Sequence, residues 1–338
     1  ISNDGGTTWT KSGTLSGVPG NTRINMLTAS NHDENVVFAV LNNHRSGDFK
    51  PYIFKSTDKG KTWKSISSNL PERGSAYAIK QDYVNKDLLV AGTEFGCYFS
   101  NDAGTSWTKL NGLPTIAVYD IELHKRESDI VVATFGRGFY VLDDYSPLRT
   151  LNTQLLNEEA VLYPIKDAKL YIPSSPLGLT GTGSQGADLW AASNSEFGAT
   201  FSLYLKDVKG SLKDERQKQQ SELEKKKSPV DYPSFESLRE EANEDKTQLM
   251  WLIKNDSGVE IKRILSSPKK GLQRISWDLR SESTSPIQLS KSTPGRYSSP
   301  DNGFMVNPGK YSVEVKLIKD GVISTLIEKT DFVVVGLN

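Results

Sequence analysis

Glu94, Arg137 and the trio His44, Arg45 and Asp48 are the residues of this sequence whose types and positions suit chemistry at a surface. A carboxylate such as Glu94 can serve as half of the acid pair that cleaves a glycosidic bond, a reaction that needs two carboxyl groups flanking the sugar. Asp143 and Asp144 are adjacent at the end of an expected strand, so they point to opposite faces and make a poor second half. Arg137 suits a ligand anion, although an ion pair with an acid of a neighbouring segment is its ordinary fate. A lone arginine is not the cluster that would grip a carboxylate from several sides. No Ser-His-Asp order, phosphate-cradling glycine loop or aromatic and basic nucleic-acid face stands out.

Three further aspartates recur in a fixed setting. Residues 2–9, 56–63 and 100–107 all read S-x-D-x-G-x-[TS]-W, which places Asp4, Asp58 and Asp102 five residues ahead of Trp9, Trp63 and Trp107. An Asp that accepts backbone N–H bonds, followed by a Gly free to take positive φ, makes a turn, and the Trp opens a strand. These aspartates are expected to build structure rather than to react.

The repeat extends well beyond the octapeptide. Residues 24–35, 76–87 and 118–129 align without gaps as a strand and polar turn, followed by short apolar strands at 36–41, 88–93 and 130–134. Third strands at 52–55, 97–99 and 139–142 come next, and the first two run into an octapeptide and its Trp strand. Four short strands in a unit of about 40–50 residues is the period of a β-propeller blade. The third unit keeps Asp144 in register with Asp102 but has no Gly-x-Thr-Trp after it, so its fourth strand is expected to be missing; residues 1–11 supply a turn and a spare fourth strand. An open arc of blades leaves unpaired edges and an apolar face, so the remaining blades are expected from elsewhere in the same protein. Because the octapeptide joins third and fourth strands, loops 42–50, 94–96 and 135–138 lie at the opposite face. They carry the five candidate ligand-binding residues, and the first is the longest.

Net charge is zero, so nothing global steers the chain to nucleic acid or an anionic membrane. The single cysteine, Cys97, excludes a disulfide framework and falls in an expected buried strand; His32, His44 and His124 are scattered, so neither a metal site nor a cofactor is expected. No apolar run is long enough to span a bilayer. Short strands rich in Thr, Ser, Asn, Gly and Trp suit an extracytoplasmic β-protein.

The composition changes after residue 150. Residues 151–190 read as a Pro/Gly/Ser-rich linker, and 191–338 as an Ig-like β-sandwich with strands at 199–206, 248–254, 259–265, 273–279, 309–318 and 322–335. A charged insertion at about 210–246 is expected to be helical, with Leu212, Arg216, Gln219 and Leu223 on one face and Ser234 as an N-cap. The fold class is therefore all-β: a partial propeller followed by a sandwich.

The octapeptides resemble the Asp-box, or bacterial neuraminidase repeat, and the whole chain resembles the large sortilin-like Asp-box proteins of Bacteroidetes. Residues 133–149, A-T-F-G-R-G-F-Y-V-L-D-D-Y-S-P-L-R, are similar to the final blade of that family, with Phe135 where the family has His. The strings D-S-G at 256–258, W-D-L-R at 277–280 and V-N-P-G-K-Y-S-V at 306–313 match its following sandwich. The resemblance implies a secreted or surface-held protein in an outer-membrane context. The expected function is non-catalytic binding or scaffolding, with propeller loops engaging a peptide, glycan or protein partner. The alternative is a glycoside hydrolase of sialidase or xyloglucanase type whose acids lie mainly in other blades.

Overall fold

The computed structural model describes residues 1–152, 154–172, 192–208, 210–286 and 303–337, and its backbone divides into two compact units, Ile1–Asn152 and Thr153–Asn338. The glycine-rich stretch at 178–186 lies outside the described residues.

In the first unit three antiparallel sheets follow one another along the chain. The first holds β1 (Arg23–Ala29), β2 (Val37–Asn43), β3 (Asp48–Ser56) and β4 (Lys64–Ser65), and the second holds β5 (Ala76–Gln81), β6 (Leu89–Thr93), β7 (Gly96–Ser100) and β8 (Thr108–Lys109). The third has only β9 (Val118–His124), β10 (Asp129–Thr134) and β11 (Phe139–Leu142), as the lost octapeptide implied. Strand alternation stacks the sheets: Leu89 and Ala91 of β6 face the first sheet's Phe38, Val40 and Ile53, while Leu88 and Val90 face Val118, Ile121 and Ile130 of the third. Gly92 permits this approach, because a Cβ there would lie 2.7 Å from the Val118 carbonyl oxygen. Buried Cys97 belongs to this core, and burial pushes its thiol up to about 12. The result is a partial β-propeller. On the third sheet the far face stays open, with Phe139 and Val141 respectively 74% and 57% exposed.

The octapeptide turns are built alike. Ser56 Oγ accepts the Gly60 N–H at 2.8 Å and donates to Asp58 Oδ1 at 2.8 Å. Asp58 then accepts the Thr62 N–H at 2.8 Å and the Thr62 hydroxyl at 2.6 Å. Asp4 with Thr8 and Asp102 with Ser106 repeat those bonds, which explains why position seven of the pattern must carry a hydroxyl. The Trp Nε1–H reaches back to the preceding unit, from Trp107 to Ile66 O at 2.7 Å and from Trp63 to Ser12 Oγ at 2.9 Å. Trp9 instead bonds Gly6 in its own turn and is 75% exposed. Ile1 and Thr10 exchange two backbone bonds, but residues 1–11 form no strand, so the spare fourth strand expected there is not made.

Two bonds from Thr62, then one from Ser56, hold the Asp58 carboxyl down to about 2. A folded value below the unfolded one means that this contribution is present above the usual carboxylate range and lost as pH falls towards 2. A side-chain NMR titration of Asp58 should give a midpoint near 2, and a midpoint near 4 would show that the carboxylate does not hold the turn. For Asp102, burial opposes ionisation but the Ser106 hydroxyl and N–H outweigh it. Asp102→Ala should destabilise by about 0.5–2 kcal/mol in thermal unfolding, the range for losing a side-chain cap whose donors water can reach.

The register of the third sheet corrects one expectation. Leu89 pairs with Ser100, whereas the aligned Val131 pairs with Val141, so β11 is shifted by one residue and Asp143, not Asp144, stands at the Asp102 position. Asp144 takes φ 46°, matching Ala103 at φ 56°.

In the second unit, strands form at all six expected places: β14 (Ala199–Leu205), β15 (Gln248–Asn255), β16 (Glu260–Ser266), β17 (Gly271–Trp277), β18 (Gly309–Lys319) and β19 (Val322–Gly336). Two more, β12 (Ala160–Leu162) and β13 (Ala168–Leu170), lie inside the stretch read as linker, because three-residue strands leave almost no periodic signal. A sheet ordered β12-β14-β17 packs against one ordered β13-β19-β18-β15-β16 around Phe201, Trp251, Trp277, Val313 and Phe332, making a two-sheet sandwich. Helices α2 (Leu212–Lys225) and α3 (Phe235–Asn243) form the insertion, capped by Ser211 and Ser234. Leu212 and Leu223 remain exposed; the helices are pinned by a bidentate Arg216–Glu241 pair.

Candidate functional site

Each sheet of the first unit breaks register at one place in its first strand. The breaks fall between Ile24 and Met26, between Ala76 and Ala78, and between Val118 and Asp120, which squeezes out Asn25, Tyr77 and Tyr119. These three residues occupy a single column of the repeat. A β-bulge sets two residues against one and re-aims the extra side chain. Here all three line one cleft of about 470 Å³, together with Arg23, Asn42, His44 and Arg45.

The contacts inside the cleft are specific. Asn25 Nδ2 donates to the Tyr77 carbonyl at 2.6 Å. The Tyr77 and Tyr119 rings stack with centroids 4.3 Å apart and planes at 14°, and Tyr119 continues onto Phe135 at 5.4 Å and 28°. Phe135 is 70% exposed, so this aromatic run opens to solvent. Buried Asn42 donates to Ala76 O at 3.3 Å and accepts the His44 N–H at 3.1 Å, with His44 Nδ1 beside the same oxygen. That side chain fixes the 3₁₀ turn His44–Ser46, which carries Arg45 to the rim.

Of the five residues expected from sequence, His44 and Arg45 line this cleft. Glu94 accepts a hydrogen bond from the Tyr77 hydroxyl, and burial followed by that carboxylate drives the hydroxyl well above its ordinary range. Asp48 lies outside the lining: it accepts the Tyr52 hydroxyl at 2.7 Å and Asn43 Nδ2 at 3.3 Å, clipping the start of β3. The Tyr52 bond holds its carboxyl below the usual range, while burial and Asp48 push Tyr52 up to about 12. Arg137 is exposed and makes no ion pair among the described residues.

Asn25, Tyr77, Tyr119 and Arg23 were missed. Their signal was present, since a gapless alignment puts the first three in one column, but a bulge shared by every repeat inserts nothing relative to its neighbours and so stays invisible. Phe135 was noted only as the absence of a histidine; its ring extends the stack.

A second cluster went unread. Asp82 accepts Arg149 Nε at 3.0 Å and Nη2 at 3.0 Å, the Tyr145 hydroxyl at 2.5 Å, and the N–H groups of Val84 and Asn85. Its column in the repeat caps the same turn in every sheet: Ser30 accepts from His32 and Asp33, and His124 accepts from Glu127. Asp82 is thus a turn residue that also anchors the short helix α1 (Pro147–Thr150).

Against known proteins, no family model matches the chain. The xyloglucanase Xgh74A of Acetivibrio thermocellus is 25% identical over 166 residues, a match that covers 44% of this chain and 19% of that protein. Among solved structures, the GH74 enzyme of Niastella koreensis aligns with a TM-score of 0.29 at 18% identity over 36% of this chain and 21% of its own. The GH74 xyloglucanase of Xanthomonas campestris gives 0.26 at 16% identity over 32% and 18%. Scores this low leave the fold to be argued from the sheets described above.

Proposed function

We propose that the first unit is the binding module of an extracytoplasmic, non-catalytic protein and that its bulge-lined cleft holds a glycan. The exposed pair Tyr119–Phe135, stacked on the buried Tyr77 ring beside an amide- and guanidinium-rich cleft, carries this reading. Aromatic faces bury the apolar face of a sugar ring while neighbouring donors take its hydroxyls. No carboxylate is among the residues that line the cleft, so the paired acids of a glycosidase do not converge on it. We further read the octapeptides as Asp-boxes, the sandwich as Ig-like and the chain as sortilin-like. The bare face at Phe139 and Val141 supports further blades packing there.

The test is a glycan array probed with the 338-residue chain. Tyr119→Ala and Phe135→Ala should each weaken capture about tenfold or more while the melting temperature stays nearly unchanged, because both rings are partly exposed. Undiminished capture by both variants would overturn the reading. The similarity to a xyloglucanase favours a second reading, a glycoside hydrolase. Turnover of β-glucans by the protein, abolished by Glu94→Gln, would establish that instead.

A further inference from the structure

Arg23 and Arg45 both line the bulge cleft, and among the described residues neither makes an ion pair. The other lining residues are four asparagines, a serine, a histidine and two tyrosines, with no Asp or Glu among them. Glu94 and Asp48 keep their charge but stand outside the lining, held by the Tyr77 hydroxyl and by Tyr52 and Asn43 respectively. The lining thus holds two guanidinium groups without an ion-pair partner among the described residues and no carboxylate, which favours an anion at the cleft surface itself.

No local pattern in the chain announces this pairing. Arg23 opens β1 and Arg45 belongs to the turn after β2, and they meet because β1 and β2 pair with Arg23 opposite Asn42. The β1 bulge then brings Asn25 to the same concavity, and the bulges of β5 and β9 add the two stacked rings. The cleft therefore offers charge at one set of strand ends and a stacked aromatic run at the next.

Resting on the glycan reading, we propose that this cleft selects polysaccharide chains whose sugars carry carboxylates, the uronic-acid polymers, over neutral ones. The two arginines receive a uronate carboxylate, Asn25 and Asn42 flank it, and the exposed Phe135 ring with the edge of Tyr119 carries the next sugar of the chain. The bulge residues and the two arginines, rather than Asp48 or Arg137, determine the specificity.

Affinity electrophoresis of the 338-residue chain through gels containing polygalacturonate tests this, with the same polymer after carboxyl reduction and a neutral β-glucan as the other arms. Polygalacturonate should retard the chain and carboxyl reduction should abolish retardation. The double variant Arg23→Gln with Arg45→Gln should lose about tenfold or more in affinity, whereas Arg137→Gln should lose little. Retardation should also fade as salt rises from 0.05 to about 0.5 M, where the screening length drops to a few ångströms. Equal retardation by the reduced or neutral polymer, with Tyr119→Ala still weakening it, would overturn the acidic-sugar inference and leave the glycan reading standing. No retardation by any polymer would overturn both, and capture of an acidic peptide alone would assign the arginines to a protein partner instead. Circular dichroism melting of the double variant separates lost binding from lost fold, and Arg23→Lys with Arg45→Lys should restore part of the retardation.

Discussion

Arg149→Ala is expected to destabilise the first unit by about 3–5 kcal/mol, the loss seen when one partner of a buried ion pair is removed. The Asp82 carboxylate is fully buried and Arg149 is 15% exposed, so no water takes over the role of the guanidinium. Arg149 also lies over the Tyr83 and Tyr145 rings, 4.7 and 4.9 Å from their centroids, and that packing goes with it. Burial alone would raise the Asp82 carboxyl, but the bonds from Arg149 and Tyr145 hold it below its ordinary value of 3.8. A depressed folded value means that the pair stabilises fully above about 4 and loses its contribution as pH falls through the folded value. In Arg149→Ala the orphaned carboxylate gains from protonation, so its deficit should be larger at pH 7 than at pH 4. Urea unfolding of both proteins at the two pH values measures this. A deficit below about 1 kcal/mol at pH 7 would mean that the pair does not hold α1 to the second blade.

Trp277→Ala should cost the sandwich a similar amount, about 3–5 kcal/mol for deleting a fully buried indole. Trp277 is fully buried, its Nε1–H donates to Arg280 O at 2.8 Å, and its ring meets Tyr311 at 5.5 Å and Phe332 at 6.1 Å. Trp277→Phe keeps most of the packing and orphans only a carbonyl, so it should cost markedly less. Denaturant unfolding followed by far-ultraviolet dichroism separates the two variants, and equal losses would place the energy in the hydrogen bond rather than in the ring.

The blades were legible in the sequence because each octapeptide carries its own local mechanism: hydroxyl, carboxylate and glycine act within eight residues. Long sandwich strands were legible for the same reason, since alternation over six or more residues is a strong local signal. What escaped were effects with no local signature. β12 and β13 exist only through their partners β14 and β19, and the one-residue shift of β11 is set by pairing across the sheet. The cleft escaped more completely. His44 and Arg45 stood out because they sit on a long loop, while Arg23, Tyr77 and Tyr119 look like ordinary strand residues until the register breaks beneath them. Arg149 was quoted as the end of a family string, yet its partner lies 67 residues earlier in the chain.

The recurrence of the bulge at one column also bears on how such a surface changes over generations. Elsewhere in β1, β5 and β9 a new side chain must satisfy the core or the pleat, and most substitutions would be purged. At residues 25, 77 and 119 the backbone has left the ladder, so the pleat no longer dictates identity, although Tyr77 still answers to its burial and its bond to Glu94. Asparagine stands there in one blade and tyrosine in the next two. Each blade then carries one position freed from strand pairing and facing a shared space, so a lineage can respell its recognition surface at residues 25 and 119 with little risk to the stacked sheets that support it.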